Sequence, residues 1–545
     1  METPSCVATR TRTRTSTNDS SRTASLGEPE EIDYVNLPLT ELNDGADLRE
    51  YYTETRAGEI IKPVKSNVTG KMEDWKLVTF TIEDPENPKN WSKLYKWYCT
   101  MVVAFTCFVV AFCSSVITAK LEGPMESFNV SREVSFVTVT VFVIGFGVGP
   151  MIFAPLSEVI GRRPVYAVTL LVAVIFVIPC AVSKNIGTLI VCRAIDGIAF
   201  SAPMTLVGGT LSDLWKNEER GVPMAAFSAA PFIGPAIGPL AGGFLSDNCG
   251  WRWLYWIQLI LSFVAWVLIT FTVPETYAPT LLKKRAAKLR KTENDPKFVT
   301  ETELDARPLA DKMRIILLRP FQLLLLEPIV LCIAIYMSVL YGLLYMFFVA
   351  YPIVYQMGKG WSASSTGLMF IPLALGVLMS AACAPLVNKH YLKISQQHGG
   401  KPPAEKRLIP MMWSCWFIPV GLFIFAWTSY PRLHWIGPAI GGWPVGFGFI
   451  FLYNSANNYL VDTYQHQAAS ALAAKTFLRS MWGASTVLFT EQMYERLGYQ
   501  WASSLLAFLA LACCAIPYVF YFKGEQIRRF SKYAFADDEE QAIKA

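Results

Sequence analysis

Residues 229–243 read Ala229-Ala230-Pro231-Phe232-Ile233-Gly234-Pro235-Ala236-Ile237-Gly238-Pro239-Leu240-Ala241-Gly242-Gly243, inside a long apolar run. Three prolines in nine residues, Pro231, Pro235 and Pro239, would break a helix in water. A membrane helix tolerates them, because neighbouring helices and local adjustment re-satisfy the freed backbone groups. Gly234, Gly238 and Gly242 recur every four residues and so share one helix face, with Gly243 beside them. A face with almost no side chain lets another backbone approach closely. The stretch therefore predicts a kinked, tightly packed span that moves against a neighbour, expected to lie in the opposite half of the molecule.

The rest of the chain supplies the setting. Of 545 residues 53% are hydrophobic and only 17% charged, where soluble domains are about a quarter charged. From Trp97 onward apolar blocks of roughly 20 residues repeat, each long enough to cross the hydrocarbon core. Twelve are read, at about 97–117, 134–155, 165–183, 187–211, 222–245, 252–273, 325–349, 366–387, 409–429, 435–460, 467–490 and 499–522. The expected organisation is a polar leader 1–96, mostly disordered; a six-helix half 97–273; a basic central loop 274–324; a second half 325–522; and a tail 523–545. A weak repeat supports two halves. Ala154-Pro155-Leu156 ends the second span of one half and Ala384-Pro385-Leu386 the second span of the other. Arg162, Arg163, Lys216, Arg220, the cations of 283–319, Lys389, Lys393, Lys401, Lys406 and Arg407 all fall on one side. By the positive-inside rule that side, with both termini, is cytosolic.

Composition also excludes. The twelve cysteines lack any C-x-x-C spacing and the four histidines do not cluster, so neither a disulfide framework nor a metal centre is expected. No G-x-x-x-x-G-K-[ST] phosphate loop is present, which argues against a nucleotide-driven pump, and no nucleophile–base set suggests an enzyme. The net charge of +5 resides in membrane-flanking loops, so nucleic acid is not an expected partner. Asn129-Val130-Ser131 is a glycosylation sequon in the first outer loop, at Asn129, and Asn67-Val68-Thr69 is a second in the leader that a cytosolic position would leave unused.

Several intramembrane polar residues carry the chemistry. The loop after span 2 holds Glu158, Gly161, Arg162 and Arg163, an acid, a turn glycine and paired cations that can form a charge latch between helices. Span 4 contains Arg193 and Asp196, and charges inside a span are costly enough to imply a function or mutual pairing. Three residues apart, the two can meet on one face: either a static pair, or a carboxylate that takes up and releases a proton beside the cation. Span 7 is aromatic, with Tyr341 and Tyr345 as candidate cavity residues. Span 10 carries the amides Asn454, Asn457 and Asn458, which touch substrate or join helices. Lys475 in span 11 either faces the cavity, attracting an anionic substrate, or snorkels to the surface. Glu327, opening span 7, is interfacial or cavity-lining.

The 154–164 loop resembles the G-x-L-x-D-R-x-G-R-R signature of the major facilitator superfamily, with Ala154, Glu158 and Val159 as departures. The span 5 stretch is similar to that superfamily's antiporter motif. Asn87-Pro88-Lys89-Asn90-Trp91-Ser92, Gly250-Trp251-Arg252-Trp253, Pro274-Glu275-Thr276-Tyr277-Ala278-Pro279 and Phe477-Leu478-Arg479-Ser480 resemble its fungal twelve-helix drug:proton antiporters. The resemblance implies an all-α membrane protein of twelve helices in two halves. It implies a secondary active transporter that exports a small amphipathic organic molecule, a toxic metabolite or drug, in exchange for protons. Arg193 matches a helix-4 arginine implicated in proton coupling; Asp196 and Lys475 depart from the usual uncharged residues. The expected partners are substrate, protons and the bilayer, with no cofactor, in a monomer. The expected location is the plasma membrane, with vacuole or vesicle as alternatives; the rival functions are polyamine or broad multidrug export and, more remotely, nutrient uptake by symport.

Overall fold

The computed structural model describes residues 59–65, 72–81, 83–216, 219, 221–304, 309–398, 402–464, 467–531 and 534. The expected disorder of 1–30, the Asn67 sequon, Arg220 and Lys401 lie outside these residues. Ten apolar helices of membrane-crossing length run, in order, over Lys93–Lys120, Arg132–Ile160, Arg162–Ala181, Ile186–Leu214, Val222–Cys249, Trp253–Thr272, Pro328–Met357, Ala363–Gln397, Ala404–Thr428 and Ile436–Thr463; they are spans 1 to 10 below. A last stretch, Ser470–Phe530, is too long for one crossing. It reverses at Gly498, whose φ of 75° and ψ of 165° leave the helical region, a conformation that glycine adopts without a Cβ penalty. The Tyr494 hydroxyl then lies 2.8 Å from Ser503 Oγ, whereas nine residues of unbroken helix would advance about 13 Å. Residues 470–497 and 499–530 are thus spans 11 and 12, and the chain makes the expected twelve crossings.

Local chemistry sets the helix starts. The Ser92 side chain accepts the Tyr95 N–H at the head of span 1, and Asn185 accepts the Thr188 N–H at 2.7 Å at the head of span 4. Pro328 occupies the first turn of span 7, where its missing N–H costs nothing. Span 5 stays helical through Pro231, Pro235 and Pro239.

The structure differs from the expected picture at two points. The first is an addition to the helical bundle, a small sheet that the described part of the leader forms with the central loop. Strands β1 (Glu59–Lys65) and β2 (Met72–Val78) pair antiparallel, and β2 pairs parallel with β3 (Phe298–Val299) from the central loop. Val78, Phe80 and Phe298 bury Leu282 and Ala286 of the central-loop helix Ala278–Thr292. That helix carries a narrow apolar stripe among many cations, and the leader covers it. Around this small core Asp84 pairs with Arg285, Arg290 with Glu303 at 2.9 Å, and Lys76 with Asp295 at 3.4 Å. Burial pushes the Asp84 carboxyl up, but the Arg285 guanidinium and the Glu86 N–H outweigh it and hold it below its ordinary range.

The second concerns the glycine face of span 5, expected to meet the opposite half. A Cβ on Gly234 would lie 2.7 Å from Phe108 O and one on Gly242 2.5 Å from Val116 O, while Gly238 abuts Ser115. All three press on span 1, within the same half. Other positions on the helix cross over: Gly243 abuts Ala363, and the backbone of Pro239 packs on Gly367, both in span 8. The four-residue period fixes a face but not its partner, which the wrapping of the first half decides.

Candidate functional site

The residues expected to form a charge latch make their contacts with different acids. Gly161 turns the chain with φ 102°, and the N–H groups of Arg162 and Arg163 donate to the two Glu275 carboxylate oxygens at 2.9 and 3.2 Å. The same carboxylate accepts the Thr276 and Tyr277 N–H groups at 3.1 and 3.0 Å. Glu275 thus caps the start of span 3, where backbone N–H groups and the helix dipole favour an anion. The Arg162 guanidinium reaches Asp213 at 3.3 Å and Ser157 Oγ at 2.7 Å, and Arg163 donates to Thr270 O at 2.7 Å. Glu158, the acid read from the sequence, is exposed. Span 2 ends just before the turn, so its last acid faces outward while the arginines fold back onto spans 4 and 6. Asp213, an acid in the last turn of an apolar span, was missed; Glu275 was visible only as part of a resemblance segment.

In span 4 Arg193 and Asp196 are both fully buried yet do not bond. Among the described residues no ion pair within 4.0 Å joins them. Arg193 donates to Gln258 Oε1 at 3.3 Å, Cys113 O at 3.4 Å and Thr138 O at 3.5 Å, with its guanidinium 3.9 Å from the Phe142 ring centre. It therefore ties spans 1, 2, 4 and 6. Asp196 turns to span 3 and, among the described residues, accepts only the Cys180 thiol, at 3.7 Å, with no hydrogen-bond partner for its Oδ1. The expected meeting on one face is corrected. Helical side chains lean toward the N-terminus, which carries the long Arg193 away from Asp196 and onto carbonyls of spans 1 and 2.

A third cluster lies where the halves meet. Lys475 is 1% exposed, bonds Asn457 Oδ1 and stands 4.7 Å above the Tyr453 ring. Arg479 lies 4.3 Å from the Tyr341 ring and 5.6 Å from that of Tyr453. Tyr341 and Tyr345 hydroxyls are 3.4 Å apart. From the other half, Ser228 donates to Asn454 Oδ1 at 2.8 Å, and Phe232 packs edge-on against Tyr453. Five of the six cavity candidates therefore gather; Asn458 is exposed and stands apart. Tyr453 and Arg479 are the additions, and the i, i+4 spacing of Lys475 and Arg479 was the available signal. Lys475 points inward rather than snorkelling.

At the face opposite the basic loops the halves are bolted together. Arg132 pairs with Glu491 at 3.0 Å, and Asp247 accepts the Ser364 N–H at 2.8 Å. Asn129 is exposed there, with φ 51°. Glu327, immediately before span 7, does not join the central cluster. It is 2% exposed and accepts the Tyr464 hydroxyl at 2.8 Å.

With this geometry in place, comparison with known proteins gives the class. Residues 103–487 match the family model for the Major Facilitator Superfamily. The chain belongs to that superfamily, and it is a multi-pass membrane protein. Three similar proteins come from fungi. The chain is 80% identical to the MFS-type transporter paaT of Penicillium rubens, over 97% of each chain. It is 40% identical to the efflux pump FUBT of Fusarium oxysporum, over 84% of this chain and 77% of that one. It is 42% identical to the multidrug transporter mdrA of Aspergillus fumigatus, over 86% and 78%. Among solved structures, the proton:xylose symporter XylE superposes with a TM-score of 0.56 at 14% identity, covering 79% of this chain and 97% of that one. That likeness shows the twelve-helix, two-half fold.

Proposed function

We propose that the protein exports small amphipathic molecules bearing an anionic group, in exchange for protons, as a monomer that needs no cofactor. The observation that carries the substrate class is the pair of buried cations, Lys475 and Arg479, stacked over Tyr453 at the meeting of the halves. Among the described residues no carboxylate lies within 4.0 Å of either. Buried charge without a counter-ion is costly, and an anionic ligand between aromatic rings would offset that cost. The efflux pumps among its relatives favour export. For the proton, Asp196 offers a buried carboxyl with one oxygen unpartnered. Its charged and neutral forms therefore differ widely in cost, as a coupling site requires, while Arg193 organises the surrounding helices. Cytosolic termini and the plasma membrane complete the reading, following the basic loops.

A second reading has one observation in its favour. Polyamine transporter 3 of Saccharomyces cerevisiae is 39% identical over 85% of this chain. Two cations at the central cluster oppose a polycationic substrate.

The test is uptake into inside-out vesicles with an imposed proton gradient, using an aromatic carboxylate, its methyl ester and a polyamine as probes. Gradient-dependent transport of the carboxylate alone is expected. Lys475→Asn should lower it at least tenfold, and Asp196→Asn should abolish its dependence on the gradient. Preferred transport of the polyamine, or unaltered carboxylate transport by Lys475→Asn, overturns the substrate class. Intact gradient dependence in Asp196→Asn overturns the coupling role.

A further inference from the structure

We infer that Ser531 is a phosphorylation site whose modification releases the polar end of span 12, residues 523–530, from the second half. The inference rests on the cytosolic placement of the termini, where kinases and ATP are present. Two independent observations converge on this residue, one of sequence and one of structure.

The sequence Arg528-Arg529-Phe530-Ser531 places paired arginines three and two residues before a serine. Basic-directed protein kinases select that charge pattern, reading the arginines with acidic pockets. The residue between is undemanding: Phe530 is 88% exposed and anchors nothing. The helix Ala515–Phe530 ends immediately before Ser531, so fraying of its last turn presents the segment in the extended form that a kinase groove takes.

The structure shows what the hydroxyl holds. Ser531 Oγ donates to Glu327 Oε2, the same carboxylate oxygen that accepts the Tyr464 hydroxyl, and accepts the Ala534 N–H at 2.8 Å. Glu327 opens span 7 and Tyr464 closes span 10. This buried node, with the forked Arg528–Glu405 pair at 2.9 and 3.0 Å, fastens the tail to the second half. In the kinase reaction Ser531 Oγ attacks the γ-phosphorus of ATP. The new O–P bond forms as the bond to the bridging oxygen of ADP breaks; ADP leaves, and the hydroxyl proton passes to the kinase's base and then to water. The product replaces a donor hydrogen with a phosphate of nearly two negative charges, directly against the Glu327 carboxylate. The bond becomes a repulsion between like charges at a buried site, and the tail detaches.

The test uses purified full-length protein in detergent, treated with the catalytic subunit of cAMP-dependent kinase and ATP, so it is independent of substrate, coupling and membrane orientation. Peptide mapping is required, because residues 1–58 also contain Arg–Thr and Arg-x-x-Ser sequences. Phosphate on Ser531 is expected, lost in Ser531→Ala. Amide protection across 523–530 should fall at least tenfold on phosphorylation, and markedly less in Glu327→Gln, whose side chain carries no like charge. Should Glu327→Gln fail to fold, the phosphorylated parent against Ser531→Ala under the same kinase gives the same comparison. An unmodified Ser531, or a modified one with unchanged protection of 523–530, overturns the inference.

Discussion

Replacing Gly242 by alanine should force span 5 away from span 1. The added Cβ would sit 2.5 Å from Val116 O and 2.9 Å from the Ala119 Cβ. Neither is a flexible side-chain end, so the helices themselves must part, by about 0.9 Å to reach ordinary contact. A gap of that size forfeits a quarter to a half of each dispersion contact along the seam. Overpacking of this kind costs about 1–3 kcal/mol, and the rigid backbone neighbour places Gly242→Ala near the upper end. Gly234→Ala, at 2.7 Å from Phe108 O, should behave alike. One parting of the helices relieves both clashes, so the double variant should cost less than the two singles together. Gly208→Ala is the control, since nothing lies within 4 Å of its added methyl, and alanine is the better helix former. The assay is the apparent thermal midpoint of purified protein in one detergent at one scan rate, with vesicle transport measured alongside. Equal midpoints for Gly242→Ala and Gly208→Ala, or strictly additive losses, would refute the close-packed seam.

Other perturbations test the remaining geometry. Glu275→Gln exchanges a four-bond acceptor for a group with one acceptor oxygen, and should cost about 1–3 kcal/mol. Glu158→Gln, at an exposed position, should stay within about 0.5 kcal/mol; the reverse order in thermal midpoints would restore Glu158 as the latch. Glu491→Gln removes a partly exposed ion pair worth about 0.5–1 kcal/mol. It should raise the population open at that face roughly two- to fivefold, read by spin-label distances across the halves; an unmoved distribution counts against the bolt. The leader–loop cap should weaken in acid. The depressed carboxyls of Asp84 and Glu303 contribute stability fully present above their ordinary values, 3.8 and 4.5, and lost as pH falls through the lower folded ones. Amide protection factors of 72–80 should therefore drop as the pH falls below these ordinary values, and Arg285→Ala should produce the loss at neutral pH. Protection unchanged by both would remove Asp84–Arg285 as the clasp.

Legibility in the sequence followed the range of the interaction. The twelve crossings were readable because a run of about 20 apolar residues is costly to leave in water, whatever surrounds it. The smooth face of span 5 was equally local, being a period of four. The central cluster was half readable: Lys475 and the amides announce themselves as polar groups in apolar spans, whereas Tyr453 looks like any other core aromatic until two cations stack on it.

What tertiary structure alone decided are the pairings between distant residues. Arg162 meets an acid 51 positions away, not its neighbour Glu158. Arg193 binds carbonyls of two other spans while Asp196, three residues on, turns to a cysteine thiol. The leader closes over the central-loop helix through two backbone registers that no periodicity announces. Burial is specified residue by residue through transfer from water, so it can be read along a chain. The partner of a buried charge depends on how the helices wrap, and only the folded bundle holds that geometry.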